Sequence, residues 1–146
     1  MNNVLIEKDC KIVDVVKDKE NEVDWEDISI MQTLSEEFIK KFKNRVNWSS
    51  ISYNQTLSED FIREFEDRIN WGFISCKQTL SEDFIREFED RLCWEDISFY
   101  QTLSEEFIRE FQDKVDWDII IRKQILSGDF IREFINLNRI KLARRL

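Results

Sequence analysis

In residues 46–68, VNWSSISYNQTLSEDFIREFEDR, apolar side chains recur at three- and four-residue steps. At about 100° per residue, Phe61, Ile62, Phe65 and Ile69 fall on one side, with Asp60, Arg63 and Asp67 opposite. Upstream, Trp48, Ile51, Ser52 and Gln55 share a second face. Both patterns have a helical period and neither alternates as a strand would. The stretch therefore predicts two amphipathic helices, a shorter one of about eight residues and a longer one of about eleven, each marginal if isolated in water.

Each predicted helix carries a start signal. Ser58 is placed to accept a hydrogen bond from an otherwise orphaned backbone N–H, and Glu59 and Asp60 put negative charge at the positive end of the helix dipole. Asp24, Asn47 and Asn70 stand in the same way before tryptophans. Apolar staple pairs frame these caps: Leu57 with Ile62, Val23 with Ile28, Val46 with Ile51, and Ile69 with Ile74.

The whole phrase recurs. Trp25, Trp48, Trp71, Trp94 and Trp117 are each 23 residues apart, which defines tandem copies 23–45, 46–68, 69–91, 92–114 and 115–137. Because no copy encloses a core alone, neighbours must stack, and an all-α helical-repeat solenoid of five two-helix units is expected. A leucine-rich repeat has a similar period, but its L-x-L-x-x-N strand pattern is missing. A compact bundle of the same helices stays open as an alternative. Residues 1–22, with Ile12, Val13, Val15 and Val16, are expected to cap the first copy. Residues 138–146 are expected to extend the last copy as a basic helix bearing Arg139, Lys141, Arg144 and Arg145.

Composition narrows the function. A net charge of -9 disfavours nucleic acid and anionic membranes, both of which reward clustered Lys and Arg. Cys10, Cys76 and Cys93 are odd in number and share no repeat register, so free thiols in a reducing, intracellular setting are expected. The N-terminus lacks the pattern of a secretory signal. There is no histidine to serve as a general base or metal ligand, and only Gly72 and Gly128 are glycines, so no phosphate-cradling loop is expected. The repeated acid pairs are explained by capping. No catalytic residue, cofactor or metal site is expected.

Three repeated features invite both a structural and a functional interpretation. The tryptophans suit a core row better than a stacking ladder for bases or sugars. Gln32, Gln55, Gln78, Gln101 and Gln124, with Ser29, Ser52, Ser75 and Ser98, fall on inward faces, where polar groups need partners. Side-chain to backbone bonds tying each copy to the next would supply them, with Ile121 interrupting the series. The third feature is variation: the two residues after each Trp and the two after each Ile-Ser differ between copies. These positions map to the outer face of the shorter helices, where solvent exposure alone permits drift. Yet they have gathered Ile30, Met31, Tyr53, Phe73, Lys77, Phe99, Tyr100, Ile119 and Arg122, a set suited to a protein partner.

The phrase Trp-x-x-Ile-Ser-x-x-Gln-x-Leu-Ser-Glu-x-Phe-Ile-x-x-Phe, spanning residues 23–137, resembles short tandem repeats in proteins of giant, mimivirus-like DNA viruses. The resemblance implies a viral interaction module made in host cytoplasm and implies no ligand. The expectation is a non-enzymatic scaffold for protein–protein interaction. Repeat-based binding of single-stranded RNA and a self-associating structural component are the alternatives, and a homo-oligomer stays possible.

Overall fold

The computed structural model describes residues 23–134; the expected cap 1–22 and basic extension 138–146 lie outside the described residues. Among the described residues the protein is an all-α helical repeat without strands. The chain divides after Leu92 into two compact units.

The first unit holds three repeats, each pairing a Trp helix with a Ser-capped helix: α1 (Trp25–Met31) with α2 (Glu36–Lys41), α3 (Trp48–Asn54) with α4 (Glu59–Glu64), and α5 (Trp71–Lys77) with α6 (Glu82–Glu87). Consecutive Trp helices pack together, α1 on α3 and α3 on α5. The second unit repeats the scheme with α7 (Trp94–Tyr100), α8 (Glu105–Glu110) and α9 (Trp117–Lys123), followed by helical residues 128–134, and α7 packs on α9.

Helices of six and seven residues do not persist on propensity alone. Their interiors hold them. Phe61, Ile62, Phe84 and Ile85 in the first unit, and Phe107 and Ile108 in the second, are sealed from solvent, each contributing about 1.5–3 kcal/mol by burial. Ile51, Ile74, Ile97 and Ile120 are equally enclosed on the Trp helices. At the ends this burial lapses: Ile28 is half-buried and Ile131 exposed.

The Ser-capped helices are not the longer ones. Their α-helical part stops at a phenylalanine, Phe42 in the first repeat, whose backbone leaves the helix at φ -107°, ψ 27°. The Phe42 carbonyl then accepts from both Arg45 N–H (2.8 Å) and Val46 N–H (3.1 Å), forming a separate turn. This break lets the Phe42 ring lie on Phe38 (4.7 Å) and Trp25 (5.1 Å) while the turn delivers Val46 to the core. A smooth helical period cannot reveal it, because the same residues point inward either way.

The caps form as the sequence implies. Ser35, Ser58, Ser81 and Ser104 hydroxyls accept from the N–H groups of Phe38, Phe61, Phe84 and Phe107. Asp24, Asn47, Asn70 and Asp116 cap their Trp helices likewise. Cys93 occupies that place before α7 and makes no side-chain cap hydrogen bond. Cys93→Asn is expected to raise stability by about 1 kcal/mol, the usual worth of an N-cap. The midpoint of urea unfolding checks this; an unchanged midpoint would show that the start of α7 does not limit stability.

Candidate functional site

Two features stand out, one internal and one external. Internally, Gln55 reaches back to the preceding repeat. Its amide donates to the carbonyls of Ser29 (3.1 Å) and Gln32 (2.8 Å), and its Oε1 accepts from Leu34 N–H (2.9 Å). Gln78 does the same one repeat later, with Ser52 O, Gln55 O and Leu57 N–H. In the second unit Gln124 bonds Ser98 O, Gln101 O and Leu103 N–H.

The serines run the other way. Ser29 Oγ donates to Trp25 O (2.6 Å) and accepts from Asn47 N–H (3.1 Å) of the following repeat. Ser52 joins Trp48 O to Asn70 N–H, and Ser98 joins Trp94 O to Asp116 N–H. The expected ladder thus exists within each unit, and it satisfies carbonyls that the short helices leave open at their C-termini. At Ile121, where the series lacks its serine, the side chain is exposed.

A third tie was not legible. Glu36, Glu59 and Glu105 stand in the first turns of their helices, where the dipole favours them, and their carboxylates also accept from Ser58, Ser81 and Ser127 N–H of the next repeat, at 2.6, 2.6 and 2.5 Å. The bonds from Ser127 hold the Glu105 carboxyl below its ordinary range. Its stabilising effect is therefore present above the unfolded value and is lost as pH falls through the lower folded one. A spacing of 22 residues from acid to N–H was the available signal, but nothing in the sequence separates it from plain capping.

The tryptophans correct the expectation of a fully internal row: all five are half-buried. Trp48 lies tilted against Phe65 (4.9 Å) and sends Nε1–H to Lys43 O (2.9 Å), the carbonyl that also receives Arg68 (2.8 Å). Trp71, Arg91 and Glu66 O repeat the arrangement. An indole needs an acceptor for its N–H, and the turn at the repeat margin offers one. The rings pack within their own copies, against Phe61 and Phe65 or Phe84 and Phe88 with the guanidinium groups of Arg68 and Arg91 over Trp48 and Trp71, while the indole N–H ties each to the preceding copy.

Externally, the variable face sorts into two clusters and one isolated pair. In the first unit Phe73 meets Tyr53 edge-on at 5.0 Å, and Lys77 Nζ lies 4.2 Å from the Tyr53 ring centre. Ile30 and Met31, the latter 74% exposed, end α1. In the second unit Phe99 and Tyr100, 42% and 57% exposed, lie 4.7 Å apart, and Lys123 Nζ sits 4.0 Å above Phe99. Arg122 is exposed beside Lys123, its Nε donating to Asp118 O.

Ile119 does not belong to this surface. It is only 9% exposed, because the second position after Trp lies in the seam between Trp helices, where Phe73 leans on the preceding Tyr53. The sequence map placed it outside from its own helix alone. Lys123, one of the variable positions but outside the expected partner set, belongs to this surface, six residues after its Trp as Lys77 is. Among the described residues no cluster of Cys, Asp or Glu is arranged to hold a metal ion, and no helix is long and apolar enough to cross a membrane. No protein-family model, curated protein or solved structure matches the chain.

Proposed function

We propose that the chain is a non-enzymatic repeat scaffold that binds another protein through the variable face of its Trp helices. The observation that supports this most is the company kept by Tyr53 and by Phe99 with Tyr100. All three rings are exposed; Tyr53 and Phe99 each carry a lysine from the following copy over the ring, and Tyr100 lies against Phe99. Preorganised aromatic side chains of this kind are the usual anchors of protein interfaces. The packing residues beneath are nearly invariant between copies, so the face varies on a constant frame. The resemblance of the repeat to those of giant-virus proteins supports a viral module acting inside a host cell.

The test compares the full chain with Phe99→Ser/Tyr100→Ser as baits in cell extract. Exposed substitutions of this sort shift stability by about 0.5 kcal/mol or less, so both baits should show the same melting midpoint. Proteins retained by the parent and lost by the variant are the expected result. Identical captured sets, or tight and steeply salt-dependent binding of single-stranded RNA by the parent, overturn the reading.

A further inference from the structure

Resting on that reading, we infer that the unit after Leu92 binds an acidic segment of another protein, one in which Asp or Glu flanks a leucine or aromatic anchor. The patch that would receive it is Phe99, Tyr100, Ile121, Arg122 and Lys123, all exposed. It joins apolar rings to two cations within a chain of net charge -9. The acids nearest in sequence, Glu95, Asp96 and Asp118, occupy the first turns of α7 and α9, one helical turn before Phe99, Tyr100 and Arg122, so the C-terminal ends that carry the rings and Lys123 hold the cations.

The two cations do not follow from the needs of the repeat. A positive charge in the last turn of a helix complements its dipole, but α1, α3 and α7 have no basic residue there and α5 has only Lys77. Position six after Trp carries Met31, Asn54, Lys77, Tyr100 and Lys123, so the frame accepts neutral residues. Among the Trp helices only α9 ends in two cations, and one of them, Lys123, lies over the Phe99 ring of α7, which adjoins Tyr100.

Overall negative charge does not forbid an acidic partner. At physiological ionic strength screening acts over about 8 Å, so a docked carboxylate responds most to the cations in direct contact with it, less to the acids one turn away, and little to the rest of the chain. The rings supply the apolar half of the site. Phe99 and Tyr100 pack on each other at 4.7 Å with planes tilted by 60°, forming one continuous apolar surface against which a leucine or aromatic anchor can lie.

The probes are short synthetic peptides, each fluorescently labelled: leucine and phenylalanine anchors in a Glu/Ser background, the same anchors in Lys/Ser or Ser/Gly backgrounds, and Glu/Ser without anchors. Anisotropy against the full chain is expected to rank the anchored acidic peptide first, by at least about tenfold. Arg122→Glu/Lys123→Glu should reverse the preference toward the Lys/Ser peptide, and Phe99→Ser/Tyr100→Ser should weaken both. Circular dichroism of each variant should match the parent, since all four positions are exposed. If basic or neutral anchored peptides bind as well, and Phe99→Ser/Tyr100→Ser removes them, the acidic specificity is wrong while protein binding at this face stands. Equal binding of the unanchored acidic peptide also overturns the inference. Binding of no peptide class overturns the inference, while the scaffold reading is decided separately by the capture experiment.

Discussion

Gln55→Leu is expected to cost about 3 kcal/mol of unfolding free energy, the net of two opposed effects. The substitution deprives Leu34 N–H, Ser29 O and Gln32 O of the amide that now serves them. An orphaned buried polar group costs about 1–3 kcal/mol, and three of them outweigh the gain from burying a leucine in place of a glutamine. Urea unfolding measures the difference. A loss below about 1 kcal/mol would mean that water takes over the amide's bonds. Because stability in a stacked repeat is a sum over neighbours, the loss should broaden the transition as well as lower it.

Gln55→Glu gives the same site a pH signature. The new carboxyl keeps an acceptor for Leu34 N–H but turns a negative oxygen toward two carbonyls at the present Nε2 position. Burial and those dipoles push its folded value above the unfolded value of about 4.3. With a raised folded value, the variant approaches the parent below the unfolded value and falls away as pH rises through the folded one. The gap between variant and parent in urea midpoint should therefore be wider at neutral pH than in acid.

These experiments probe what the sequence made legible. Inward glutamines and serines recurring at one register announced buried polar groups in need of partners, and the need was met within each unit. Capping was equally readable, since Ser58 and Asn47 act on N–H groups only three residues away. The sequence was less informative wherever the answer depends on how one copy lies against the next. Ile119 looks external on its own helix and is buried by its neighbour. Trp48 looks internal by its spacing, but it sits at the margin because its indole N–H seeks the Lys43 carbonyl. Lys40 and Arg63 look like partners for acids on their own helices. In the structure they also bond Glu64 and Glu87 of the following repeat, which raises the values of both cations. A helical wheel holds one helix, and these contacts belong to two.

The candidate surface was legible in the same partial way. Variation between copies located the face, because packing positions are constrained and outer ones are not. It did not show that Tyr53 and Phe99 are each topped by a lysine from the following copy, since the two residues are 24 apart in sequence and meet only across a seam. Eight of the nine residues read from the sequence remain outside or at the margin of the packed interior, and the ninth, Ile119, supports the seam from within.

Excising residues 46–68 from the chain is expected to leave a folded, cooperative protein with unchanged helicity per residue, whereas removing only 46–57 should abolish folding of the first unit. The reason lies in the register of the ties. After the full excision Asn70 N–H meets Ser29 Oγ as Asn47 N–H does now, and Gln78 finds Leu34 N–H, Ser29 O and Gln32 O in the place of Gln55. Ser81 N–H replaces Ser58 N–H on Glu36, Arg91 replaces Arg68 on Lys43 O, and Glu87 replaces Glu64 beside Lys40. Every donor meets an acceptor of the same kind, so the price is one interface and no orphaned group. The shorter deletion removes α3 and leaves α4 without its Trp helix, so Phe61 and Phe65 lose the Trp48 ring and the Gln55 bonds vanish with nothing to replace them. Circular dichroism and thermal melts of the two deletions, beside a synthetic peptide of residues 46–68 alone, decide the matter. A helical lone peptide, or equal damage from both deletions, would show that the copies do not draw their stability from one another.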